Sequence, residues 1–117
     1  MFGATPRAGP RLLSPMQPTD VRTLADLDDE PAATVFDDPR TVRLHLDAGQ
    51  RLPPHSHPDR LVVFVVLDGR FALDVGDETH DVRAGDVVRF DGRREVSPLA
   101  ETESTALLVL PERADDD

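Results

Sequence analysis

The residues of this chain best suited to chemistry are two histidines spaced two apart, in the segment Gly49-Gln50-Arg51-Leu52-Pro53-Pro54-His55-Ser56-His57-Pro58. On an extended backbone, residues i and i+2 project to the same face, so both imidazoles can reach one cation with little rearrangement. The proline pair stiffens the approach to them. Two nitrogen donors alone hold a metal weakly. A working centre needs a third protein ligand and open positions for water or substrate.

The chain has no cysteine, so disulfides, thiolate chemistry and cysteine-ligated zinc or iron–sulfur centres are excluded, and any metal must be held by imidazole and oxygen. The other polar residues read mostly as structural. His45 precedes the motif on an apolar run and reads as surface or structural, and His80 follows an acidic turn and reads as exposed. Arg89, between Val88 and Phe90, reads as an outward strand residue, and Asp59 as a loop carboxylate able to orient a nearby histidine. No nucleophile-plus-base set, glycine-rich phosphate loop or catalytic carboxylate pair is present.

Charge narrows the partners. The net charge is −10, and all 13 basic residues are arginine, with no lysine anywhere. Nucleic-acid binding needs a basic patch, and none is visible. An acidic, lysine-free chain that prefers Asp to Glu has the composition of proteins from salt-accumulating halophiles, where molar salt screens neighbouring carboxylates over about 3 Å. Poor folding in dilute buffer is the expectation. No apolar run is long enough for a membrane span, no leader pattern opens the chain, and a cytoplasmic location is expected.

The elements that must position the histidines are short strands. At 117 residues there is room for one core. Residues 1–20 carry four prolines and no apolar periodicity, so they are expected to be disordered, with Met16 a candidate true start. Thr23–Leu27 is read as one helical turn or an extended arm. A domain is expected over 21–111, followed by an acidic tail over 112–117. Within it, eight β-type runs alternate with breakers: Thr34–Phe36, Thr41–Leu46, Leu61–Leu67, Phe71–Val75, Thr79–Val82, Asp86–Phe90, Arg94–Val96 and Thr105–Leu110. Asp68-Gly69 suits a hairpin turn between two apolar strands. The run Leu61–Leu67 is apolar on both faces, so one face meets the interior and the other needs a cover, either the N-terminal segment or a second subunit. A homodimer is therefore expected.

The histidine segment resembles the first motif of the cupin superfamily: Gly, five residues, His-x-His, four residues, Glu, six residues, Gly. Gly49, His55, His57 and Gly69 fall in register, while Val62 stands at the glutamate position. The stretch Val82–Glu95 is similar to the second motif, with Gly85-Asp86 in its turn, Arg83 at its proline position and Glu95 at its histidine position. The resemblance implies an all-β fold, a small double-sheet jelly-roll barrel. It also implies His55, His57 and Glu95 as metal ligands, with Val62, Phe64 and Val66 lining an apolar pocket. Two imidazoles and a carboxylate would suit Fe, Mn, Ni or Zn. Two functions follow: a metal-dependent small-molecule enzyme of the dioxygenase or isomerase type, or a non-catalytic binding or sensor module with a degenerate, metal-free site.

Overall fold

A computed structural model describes residues 18–113; the expectations for residues 1–17, Met16 as a start among them, and for the last four residues lie outside it. Leu24–Asp26 forms a single 3-10 turn. Eight strands follow: β1 (Ala32–Asp37), β2 (Arg40–Leu46), β3 (Leu61–Asp68), β4 (Arg70–Val75), β5 (Glu78–Arg83), β6 (Val87–Asp91), β7 (Val96–Ala100) and β8 (Ser104–Leu110). They build two antiparallel sheets, one ordered β1-β2-β8-β3-β6 and the other β5-β4-β7. The double-sheet all-β architecture is thus the one expected.

Alternation explains the core. On β2, Val42, Leu44 and Leu46 point inward, and on β3 Val62, Phe64 and Val66 do the same, each at most 9% exposed. Phe64 meets Phe71 of the other sheet edge-to-face, with ring centroids 5.3 Å apart. The odd-numbered residues of the same β3 run face outward. Val63 and Val65 are half-buried there, and Leu67 is exposed.

Two local expectations need correction. Asp68-Gly69 does not close a hairpin: β3 pairs with β6 and β8, whereas β4 pairs with β5 and β7. It is the corner where the chain passes from one sheet to the other. Gly69 has φ of 80°, and a Cβ there would overlap Ser104, whose hydroxyl accepts from Arg70 N–H and donates to Thr102 carbonyl. The seventh run begins later and extends further than expected, through Pro98. In an antiparallel strand the N–H and C=O of one residue point to the same side. The Pro98 carbonyl accepts from Leu52 N–H, so the missing proline N–H faces away from β4 and leaves the β4–β7 ladder intact.

Candidate ligand-binding site

The segment from Gly49 to His55 runs along the free edge of β7 as an irregular strand. Gly49 N–H donates to Ala100 carbonyl, Leu52 N–H to Pro98 carbonyl, and His55 and Val96 exchange both backbone bonds at 3.1 and 2.8 Å. The His55 imidazole is fixed in turn. A carbonyl can only accept, so the 3.0 Å contact from Nδ1 to Pro53 carbonyl puts the proton on Nδ1 and leaves Nε2 as the lone-pair nitrogen.

His57 is held from the other sheet. Its N–H donates to Gly92 carbonyl at 2.6 Å, and its own carbonyl accepts from Arg60 N–H. The approach is so close that a Cβ on Gly92 would overlap the carbonyl oxygens of His57 and Arg60. Arg113 ties the two sides together, donating to Pro58 carbonyl at 3.1 Å and pairing with Asp91 at 2.8 Å. Hydrogen bonds from Arg93, with the nearby charge of Arg113, hold the Asp91 carboxyl down to about 2.

The two imidazoles meet edge-to-face with centroids 4.9 Å apart, both half-buried. They sit at one end of a cavity of about 260 Å³ between the sheets. Its walls are apolar, among them Leu44, Leu52, Phe64, Val96, Leu108 and Leu110. Among the described residues, Arg40 is the one charged residue lining it besides the histidines.

His57 titrates below its ordinary value of 6.5, chiefly because burial disfavours its charged form, with further contributions from His55, Arg40 and Arg60. The unfolded chain therefore takes up a proton before the folded one as the pH falls. Stability present above about 6.5 is lost as the pH drops through and below that value. Urea unfolding at about pH 7.5 and about pH 5.5 is expected to show a smaller acid-induced loss in His57→Gln than in the native chain.

The structure brings together some of the residues singled out from the sequence and separates others. His55, His57 and Phe64 share the cavity. Val62 and Val66 are inward on the same strand, 0% and 1% exposed, but are packed into the core and not on the cavity wall. Glu95 does not join the histidines: it is exposed and absent from the cavity lining. Parity explains this, because Val96 and Pro98 are the residues of β7 that face the cavity and Glu95 lies one step out of phase. Val96 takes the place opposite His55.

Among the described residues, the group of three whose donor atoms lie within 4.8 Å of one another, and which could hold a metal ion, is His45, Asp47 and Glu103. It stands on the outer face, since Leu44 and Leu46 point inward. His45 engages Thr105 Oγ1 through Nδ1 and Glu103 through Nε2. His80 is exposed and paired with Glu78, Arg89 faces outward, and Asp59 is an exposed loop residue. Arg40 was not singled out from the sequence. Its signal was the column Arg40, Val42, Leu44, Leu46, whose spacing of two puts the arginine on the inward face.

Two antiparallel sheets facing each other across an interior cavity, with a His-x-His segment at its end, define a small-molecule-sized β-barrel. A cupin domain family profile matches residues 42–110, and the chain belongs to the cupin family. Three solved structures illustrate the likeness. An RmlC-like cupin from Desulfovibrio desulfuricans shares 24% identity over 82% of this chain and 96% of its own, with a TM-score of 0.64. A predicted oxalate decarboxylase from Thermotoga maritima shares 19% over 70% and 79%, with a TM-score of 0.64. A conserved protein of unknown function from Streptococcus pyogenes shares 24%, with a TM-score of 0.59; the match covers 65% of this chain and 66% of that one. At these identities the likeness is one of fold. No curated protein matches the chain. Among the described residues, no helix is long and apolar enough to cross a membrane.

Proposed function

We propose that this cupin is a small-molecule binding module whose working site is the interior cavity, with His55 and His57 as its polar end. The observation that carries this is the pairing of an apolar chamber of about 260 Å³ with two neighbouring imidazoles, one of them fixed with Nε2 as its lone-pair nitrogen. At the roughly 30 Å³ that a water molecule occupies in the liquid, the chamber suits a ligand of about nine non-hydrogen atoms.

The metalloenzyme reading fits less well. The two histidines offer donors of the kind that Fe, Mn, Ni or Zn accepts, and the depressed His57 value keeps that ring neutral and ready to ligate. Among the described residues no third such donor lines the cavity, since Val62 is in the core and Glu95 faces solvent. The donor set is thus incomplete for a resident catalytic metal, which favours the non-catalytic module.

The same reading places the protein in the cytoplasm as a homodimer. The outer face of β3 and β8 carries Val63 and Val65 directly opposite Val109 and Leu107, with Val87 and Leu67 exposed beside them. The described N-terminal arm does not cover this stripe. Arg22 ties it to Val35 of β1, and Arg43 of β2 binds the carbonyls of Asp28 and Glu30. A second copy is the occupant that buries such a stripe against itself.

The test is a screen of small apolar fragments, read by methyl chemical shifts in native protein and in Leu108→Phe, which narrows the chamber. Shifts confined to Val42, Leu44, Leu52, Val96, Leu108 and Leu110 in the native chain, and lost in the variant, are expected. Shifts confined to the outer-face methyls of β3 and β8 would overturn the reading.

A further inference from the structure

The charges around the cavity run opposite to those of the whole chain. The protein carries a net charge of −10, with 23 acidic against 13 basic residues. Yet none of the described residues lining the cavity is a carboxylate; the ionisable groups there are Arg40, His55 and His57. Arg40 carries positive charge, and neither imidazole carries negative charge.

Strand geometry puts Arg40 there. It opens β2 in line with Val42 and Leu44 but is itself exposed at the cavity's rim, and its cross-strand partner on β8 is Leu110, another cavity residue. It lines the same cavity as His55 and His57. Among the described residues, Arg22, Arg51, Arg70, Arg93, Arg94 and Arg113 form ion pairs and Arg43 and Arg60 bind backbone carbonyls, whereas Arg83 and Arg89 are, like Arg40, without a side-chain partner but lie outside the cavity lining. Arg40 makes no side-chain hydrogen bond or ion pair among the described residues, although its guanidinium offers five donors in a planar fork. Among the described residues, Arg40 is thus the arginine that both lines the apolar chamber and lacks a side-chain partner.

We propose that the ligand of this cavity is a small monocarboxylate with an apolar body, its carboxylate taken by Arg40 beside the two histidines and its body packed against Phe64, Leu108 and Leu110. This deepens the binding-module reading and rests on it. A guanidinium matches a carboxylate through two parallel N–H bonds, which a neutral amide of the same shape cannot reproduce. Because Arg40 is exposed, solvent and salt screen its charge, so the specificity comes from the fork geometry together with the apolar walls that receive the ligand's body.

The experiment compares three carboxylates, benzoate, cyclohexanecarboxylate and hexanoate, with their uncharged amides. Methyl shifts are followed in the full chain at the lowest potassium chloride concentration that keeps it folded. Native protein is expected to bind at least one acid about tenfold or more tighter than its amide, with shifts at Val42, Leu108 and Leu110. Arg40→Gln is expected to bring that acid down to the level of its amide and to leave amide binding unchanged, whereas Arg89→Gln on the outer face changes neither. Acid and amide binding alike at the cavity methyls, with Arg40→Gln silent, would overturn the carboxylate assignment and leave the cavity reading standing. No shift at the cavity methyls with any of the six compounds would overturn the cavity reading, and this assignment with it.

Discussion

Gly92→Ala is expected to destabilise the fold by about 2–4 kcal/mol and to abolish binding in the cavity at the same time. The glycine is buried, and a Cβ on it would overlap the carbonyl oxygens of His57 and Arg60. Both obstacles are backbone, so neither can swing aside as a long side chain would. Relief requires parting the 91–93 turn from the 57–60 loop. That would stretch the bonds from His57 N–H to Gly92 carbonyl and from Gly92 N–H to Arg60 carbonyl. Two buried backbone bonds, together with the Arg113 clamp across the same junction, make this costly relative to a total stability of roughly 5–15 kcal/mol. The loop that moves carries His57, so the imidazole pair loses its 4.9 Å geometry. Chemical denaturation in molar salt, paired with fragment titration, measures both effects. An unchanged midpoint with unchanged binding would show that the junction yields freely.

Much of the barrel was legible because strand patterns report which face is inward. The Leu61–Leu67 run reads as having one face in the interior, and the structure makes that face Val62, Phe64 and Val66, all buried. His55 and His57 were found by the same rule, and their rings do meet. What escaped was set by long-range pairing. Asp68-Gly69 carries the local chemistry of a hairpin, but its flanking strands take other partners, and only tertiary structure decides that. The seventh run reads as ending at Val96, two residues short of Pro98, whereas the strand continues through it to Ala100. On a strand whose proline N points away from β4 it costs no ladder bond.

Glu95 stands apart from the two histidines for a related reason. Motif spacing located the stretch that faces His55 but not its phase, and a one-residue slip turns a strand side chain from the interior to solvent. Glu95 falls on the wrong side of that slip, and Val96 on the right one. Arg40 was missed although the pattern for finding it was present. A charged residue at the start of an apolar column reads as the end of the strand, and only the cavity reveals that the column's first member lines it.

The contrast between Glu95 and the two histidines also gives the most direct test of what this barrel does. The tightest-binding fragment or carboxylate from the titrations above is measured by calorimetry on untagged native protein, His55→Ala, His57→Ala and Glu95→Ala. A site built from the cavity and its imidazole pair predicts affinity reduced about tenfold or more in each histidine variant, and Glu95→Ala within about twofold of native, as for an exposed residue off the site. Equal losses in Glu95→Ala and the histidine variants would contradict it, and would mean that the glutamate turns inward to complete a three-ligand centre.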